Sequence, residues 1–193
     1  MMAIPGAISL AWFLAPLAFS SERPVVRVLG TSAVVLFAIG SVVPLVLTYI
    51  PDKKPTPREI AINRANRLCT SMAGLHAVAL QPAGKVFTFV DLGPRLITVT
   101  HHTSIAGPYH RNGQAIADVM HAFRAGEPEA HRIITKYHSD YLLICPNMST
   151  STIFMSETPN GFYAQLAKGQ VPGWLTPVEL PKNSPFKMWR VTG

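Results

Sequence analysis

The chain has 193 residues, which is enough for one ordinary domain and an appendage. Hydrophobic residues make up 48%, charged residues only 14%, and the mean hydropathy of +0.24 is unusual for a protein that lies wholly in water. The formal net charge is +7, but the basic residues are scattered and do not alternate with aromatic ones. We therefore expect no nucleic-acid partner.

Two apolar segments at the N-terminus predict two transmembrane helices. Residues 3–19 carry no charge, although they are short for a span and contain Pro5 and Pro16. Residues 29–50 are 22 uncharged residues. As a helix they would reach about 33 Å, enough to cross a hydrocarbon core of roughly 30 Å. For the first segment a signal peptide and a weaker interfacial segment are the alternatives. We expect a membrane anchor over residues 1–50.

A proline-rich linker over residues 51–58 separates this anchor from a domain that we place at 59–193. The densest group of basic residues lies at this junction, where lipid headgroups would explain it most simply. Its members are Lys53, Lys54, Arg58, Arg64 and Arg67.

The rest of the chain predicts an α/β domain. Apolar spacing and turn residues indicate a helix over 59–81, strands over 85–90 and 95–100, helices over 113–126 and 127–138, a strand over 140–145, a short helix over 160–169, and two strands within 173–191. The segment "DYLLIC" (140–145) is nearly all apolar, as in a strand that is buried on both faces. The predicted fold is a small sandwich-like α/β domain that ends in a β-hairpin and follows two transmembrane helices.

Polar residues gather where two of these strands end. Asp91 follows the strand over 85–90, and "HHTSIAGPYHRN" (101–112) follows the strand over 95–100. In α/β sheets, ligands bind outside the carboxyl ends of the strands. The candidate ligand-binding residues are Asp91, His101, His102, Tyr109, His110, Arg111 and Asn112.

An anion fits these residues better than a metal ion. The guanidinium of Arg111 offers a planar fork of donors, and free amides of the helix after Asn112 would point the same way. Neighbouring histidines such as His101 and His102 point to opposite sides of an extended chain, and the spacing matches no known zinc pattern. We predict no metal and no cofactor. The alternative is structural: Tyr109 and His110 are buried against the sheet, and Asn112 caps the helix.

Three stretches carry a family resemblance: "GKVFTFVDLGPRLITVTHHTSIAGPYHRN" (84–112), "HSDYLLIC" (138–145) and "WLTPVELPKNSPFKMWRV" (174–191). They resemble the C-terminal region of bacterial multi-spanning membrane glycosyltransferases that use polyprenyl-phosphate sugars. The resemblance covers roughly residues 59–191, and "PYHRN" with "DLGP" is its most specific part. It implies an extracytoplasmic domain at the inner membrane, with a polyprenyl-phosphate-linked sugar, membrane lipid and a multi-spanning membrane protein as partners.

Enzymes of this class carry their catalytic acid in an early loop near the first membrane helix, and this chain has no counterpart of that loop. Whether the protein is an enzyme therefore stays open, and no residue is assigned as catalytic. We expect an accessory or C-terminal domain that binds an anionic lipid-linked headgroup or acceptor and does not catalyse alone. The alternative is an interaction module that completes a multi-spanning partner and binds no ligand.

Two arguments disagree about which side of the membrane the domain occupies. Basic residues are denser after the second apolar segment than between the two segments, which favours the cytoplasm by the positive-inside rule. The resemblance favours the outside, and we follow it because upstream helices would set the topology.

The cysteines, Cys69 and Cys145, bear on the same question. The helix over 59–81 should start near the carboxyl end of the strand that it feeds, and Cys145 ends a strand that we expect to be parallel to that one. A disulfide between them is therefore reasonable, and such a bond persists outside the cytoplasm. The alternative is two unrelated buried thiols.

Overall fold

The structure, a computed structural model, describes residues 23–49 and 54–192. The chain divides into two units, with the boundary between Lys54 and Pro55. The described part of the first unit is one helix, α1 (Pro24–Tyr49). The other predicted N-terminal helix, over 3–19, lies outside the described residues.

The prediction of a transmembrane helix over residues 29–50 is wrong. Across the two described ranges, no helix combines the length and the hydropathy that a membrane crossing requires. The prediction relied on the length of residues 29–50 and on the absence of charge there. The sequence correctly indicated a helix here.

The second unit is an α/β domain around a mixed five-stranded sheet with the strand order β2-β1-β3-β5-β4. Strand β1 is parallel to β2 and β3, and β5 is antiparallel to β3 and β4. This confirms the α/β class and the C-terminal hairpin. The strands are β1 (Lys85–Phe87), β2 (Thr103–Ser104), β3 (Tyr141–Ile144), β4 (Leu175–Pro177) and β5 (Lys187–Val191).

The helices of this unit are short and surround the sheet. They are α2 (Pro57–Cys69), α3 (Met72–Ala79), α4 (Gly93–Val99), α5 (Gly113–Arg124), α6 (Glu127–Lys136), α7 (Ser149–Glu157) and α8 (Phe162–Ala167), with a 3₁₀ turn over His110–Asn112. One predicted strand, over 95–100, is absent: residues 95–99 lie in α4 and Thr100 follows its end. Pro94 fits the first turn of that helix, where no amide hydrogen is needed, and this outweighs the β-branched composition.

Strand β3 is the centre of the core, and all its residues are buried, as its apolar sequence predicted. Aromatic rings then attach helices to the chain that extends β1. The ring centroid of Phe89 lies 5.0 Å from that of Phe123 in α5, 5.7 Å from that of Phe154 in α7 and 5.8 Å from that of Tyr163 in α8. This cluster fixes three helices on the polypeptide that leads to Asp91.

The predicted disulfide between Cys69 and Cys145 is confirmed, with a Cα–Cα distance of 6.3 Å. As expected, β1 and β3 are parallel, and Cys145 follows the carboxyl end of β3. The position of Cys69 differs from the prediction, because the helix predicted over 59–81 is divided into two helices. Ser71 caps a new helix, α3, so Cys69 ends α2.

We predict that this disulfide is a major source of stability. It joins residues separated by 76 positions, and the chain-entropy model gives about 4 kcal/mol for such a loop. The variant Cys69→Ala/Cys145→Ala should lose about that much free energy of unfolding in urea titrations. Reduced wild-type protein should lose a similar amount. Equal urea midpoints for oxidised and reduced wild type would contradict the prediction.

Candidate functional site

Asp91 lies at the carboxyl edge of the sheet and is held there by α7. The Thr88 hydroxyl donates to the Leu143 carbonyl at 2.9 Å, which keeps the chain after β1 beside β3. The buried Thr150 hydroxyl, in the first turn of α7, donates to Asp91 Oδ2 at 2.6 Å. Asp91 is exposed, and its Oδ1 accepts no hydrogen bond from the described residues. One carboxylate oxygen is thus fixed and the other is available.

The loop after β2 reaches the same edge and packs against the loop that carries Asp91. A Cβ on Gly93 would collide with the Ala106 carbonyl oxygen, so the two backbones approach closely only because position 93 is glycine. Gly107 in turn lies beside the Tyr109 ring and near Pro94. The two loops together bring Asp91 and residues 109–112 to one edge.

Residues 109–112 combine a free guanidinium with an uncapped helix start. Arg111 is exposed and makes no ion pair with any described residue. Asn112 does not cap α5, contrary to the structural alternative, because its Nδ2 donates to the Ile105 carbonyl at 3.2 Å. Tyr109 is 54% exposed rather than buried. The side chain of His110 lies outside the described part of the structure. The first-turn amides of α5 and Arg111 can therefore face one anion.

The structure does not bring His101 and His102 to this site. Both precede β2, at the amino edge of the sheet, where Thr103 pairs with Lys85. His102 is buried, and its Nε2 lies 2.9 Å from the Val78 carbonyl oxygen. His101 Nε2 lies 2.7 Å from the Gln81 carbonyl oxygen. Both rings thus secure the end of α3, which is a structural role.

The arrangement of these two rings also differs from the prediction. Their centroids lie 4.8 Å apart instead of on opposite sides, because the chain bends after α4 and is not extended there. Within residues 23–49 and 54–192, no group of three or more His, Cys, Asp or Glu side chains is placed to hold a metal ion.

Asp118 fixes α5, whose first turn belongs to the site, against α6. Its Oδ2 accepts from Lys136 Nζ at 2.6 Å and from the Tyr137 hydroxyl at 2.7 Å, and Oδ1 accepts from Gln114 at 3.0 Å. The hydrogen bond from Lys136, followed by that from Tyr137, lowers the pKa of Asp118. Burial, and then the bond to Asp118, raises the pKa of Tyr137 to about 12.

The lowered pKa of Asp118 predicts an acid-sensitive contribution to stability. A carboxyl whose pKa is lower in the folded state stabilises the fold above its unfolded value, about 3.9, and this is lost as pH falls through the folded pKa. Wild-type protein should therefore lose more free energy of unfolding between about pH 5 and pH 2 than Asp118→Asn does. Urea titrations across this interval measure the difference, and parallel curves for the two proteins would contradict it.

The close approach at Gly93 gives a second prediction. Gly93→Ala should destabilise the domain by about 1–3 kcal/mol, because the new methyl group meets backbone that cannot move aside. Gly113→Ala is the matched control: it lies in helical conformation with nothing within 4 Å of a Cβ, and should be neutral or stabilising. Thermal unfolding of both variants is the measurement. Equal melting temperatures would show that the two loops do not need to touch.

Sequence reasoning missed the partners that complete this edge. Besides Thr150, Asn66 of α2 reaches the start of α7. Its Nδ2 donates to Ser149 Oγ at 2.7 Å, and its Oδ1 accepts from the Ser149 amide at 3.0 Å. The available signal was the run of hydroxyl residues over 149–152, which follows the strand predicted to be buried. Such a run at the carboxyl end of a central strand lies where a site is expected.

Comparisons with known proteins assign no family. No family model matches the chain, and no curated protein matches it. Among solved structures, the chain is similar to the C-terminal globular domain of an oligosaccharyltransferase from Archaeoglobus fulgidus. The two share 12% identity over 72% of this chain and 100% of that one, with a TM-score of 0.44. At this level of similarity, the comparison supports no functional conclusion.

Proposed function

We propose that residues 55–193 form an extracytoplasmic accessory or C-terminal domain of a glycosyltransferase-like system, and that the carboxyl edge of its sheet binds an anionic group of a lipid-linked sugar or acceptor. The proposal unites the sequence resemblance with the placement of Asp91 and residues 109–112. No residue is assigned as catalytic, and the domain is not proposed to act as an enzyme alone.

The proposal rests mainly on Arg111, whose guanidinium is exposed and makes no ion pair with a described residue. An exposed guanidinium without a carboxylate partner among the described residues lies directly before a helix whose first turn lacks a side-chain cap. Asn112, which could have capped that helix, bonds to the Ile105 carbonyl instead. Donors that remain unpaired at a helix N-terminus favour phosphate or another anion.

Asp91 adds a reason for a hydroxylated ligand rather than a bare anion. A carboxylate near the site would repel phosphate, but its free Oδ1 can accept a hydrogen bond from a hydroxyl group. Thr150 holds the other oxygen, so the carboxylate is oriented before a ligand arrives. A sugar phosphate or a lipid-linked sugar offers both an anion and hydroxyl groups.

The extracytoplasmic location is supported by the disulfide. Both sulfur atoms are fully buried, and the bond links α2 to the end of β3. Structural disulfides persist in oxidising compartments and are rare in the cytoplasm. The proposal places the domain on the outer side of the bacterial inner membrane, beside a multi-spanning membrane protein.

Titration of the purified chain with farnesyl phosphate, a water-soluble polyprenyl phosphate, tests the proposed function. Arg111→Ala should weaken binding by about 2 kcal/mol, roughly thirtyfold, as expected when a charge-assisted hydrogen bond is lost. Farnesol is the uncharged control ligand and should bind weakly to both proteins. Isothermal calorimetry gives the affinities.

Arg132→Ala is the matched control variant, because it removes an exposed arginine that is already paired, with Glu129. It should bind farnesyl phosphate as the wild type does. Equal affinities of the wild type and Arg111→Ala, with folding unchanged, would contradict the proposal. The interaction module without a ligand would then be the better account.

A further inference from the structure

Helix α2 exposes a face on which arginines and apolar side chains are mixed. Ile60, Arg64, Arg67 and Leu68 recur at helical spacing on one side of α2, opposite the buried residues Ala65 and Cys69. Ile60 is 53% exposed and Leu68 is 42% exposed. Met72, which starts α3, is 70% exposed and extends the apolar content of the surface. We call Ile60, Arg64, Arg67 and Leu68 the α2 face.

The α2 face is positively charged and uncompensated. Between positions 54 and 81 the sequence contains Lys54, Arg58, Arg64 and Arg67, with Glu59 as the sole acid. Glu59 is already used, since its Oε2 accepts from the Thr56 amide at 2.6 Å in the cap of α2. Among the described residues, none of the α2 arginines forms an ion pair, and the side chain of Arg67 bonds only to the Asn63 carbonyl.

We propose that the α2 face lies on an anionic lipid surface. Exposed apolar side chains between arginines suit the boundary between headgroups and acyl chains, where the alkyl parts enter the membrane and the guanidinium groups meet phosphates. Each basic residue near such a surface strengthens the attraction to it. An acidic protein would satisfy the charge alone, whereas Ile60 and Leu68 flank the arginines and match a lipid interface.

The contact is peripheral and requires no membrane-spanning helix. It also does not depend on the proposed function, because the α2 face and Arg111 are different surfaces. A bilayer bound at α2 would nevertheless hold the carboxyl edge of the sheet near lipid headgroups, since the disulfide ties the end of α2 to the end of β3.

The test needs a local signal, because the full chain has other apolar segments that can bind lipid. An environment-sensitive fluorophore is attached to Ile60→Cys under non-reducing conditions, where both native cysteines stay in their buried disulfide. Vesicles of phosphatidylcholine, with or without one third phosphatidylglycerol, are then added. We expect a blue shift and stronger emission with the anionic vesicles. The same fluorophore at Val171→Cys, an exposed apolar position outside α2, should not respond.

Charge reversal distinguishes electrostatic attraction to anionic lipid from nonspecific adsorption of apolar side chains. Adding Arg64→Glu/Arg67→Glu to the labelled protein should raise the lipid concentration for half response by at least about tenfold. Lys168→Glu/Arg190→Glu changes the net charge equally at exposed positions away from α2, because Arg190 pairs with Tyr141 at the opposite end of β3, and should have little effect. Raising NaCl from about 0.05 M to about 0.5 M should weaken the wild-type response, because it shortens the Debye length.

The proposal is overturned if the Ile60 label responds equally to neutral and anionic vesicles, or if both double variants behave alike. It is also overturned if the label never leaves water while circular dichroism shows an intact fold. That last result would favour a protein, rather than lipid, as the partner of the α2 face.

Discussion

The parallel pairing of β1 and β3 is the constraint on which the edge with the candidate site depends. Val86 lies opposite Tyr141 and Phe87 opposite Leu142, so both strands leave the sheet in the same direction. The buried bond from the Thr88 hydroxyl to the Leu143 carbonyl extends this pairing beyond the regular strand. For this reason the loop after β1 delivers Asp91 to the place where the chain after β3 delivers Cys145 and then Thr150. The disulfide and the hydrogen bond between Asp91 and Thr150 are both consequences of that shared exit.

The disulfide also explains how a poorly buried helix stays attached to the sheet. Helix α2 buries only Ala65 and Cys69, whereas most helices in proteins are stabilised by packing a broad apolar face. Its attachment therefore relies on the covalent bond to Cys145 and on the paired hydrogen bonds between Asn66 and Ser149. Because so little of α2 is needed for packing, its outer face can carry side chains chosen for another surface.

The sequence predicted the centre of the fold better than its periphery. A continuous apolar run such as "DYLLIC" can only be satisfied by burial on both faces, and β3 is the central strand. Residues 95–100 looked like another strand, but local β-branched composition is weak evidence when Gly93 and Pro94 start a helix just before it.

The residues of the candidate site were likewise predicted well only where they follow a correctly predicted strand. Asp91 could be located from the strand that precedes it, whereas His101 and His102 were misplaced with the false strand. The hydroxyl run over 149–152 pointed to the region of Thr150 but not to its partner, because the hydrogen bond with Asp91 joins segments that are distant in sequence.

The absence of the predicted membrane helix over 29–50 bears on the location of the domain and leaves the candidate site unchanged. The positive-inside rule concerns loops that flank transmembrane helices, and no spanning helix is found among the described residues, so we do not apply the rule to the basic residues near α2. The exposure of Arg64 and Arg67 on one face of α2 is the basis of the lipid contact that we propose for them. The observation that still supports an extracytoplasmic location is the disulfide, which does not depend on any membrane helix. An oxidising compartment stabilises the bond, the bond holds α2 in place, and α2 in place presents its arginines together.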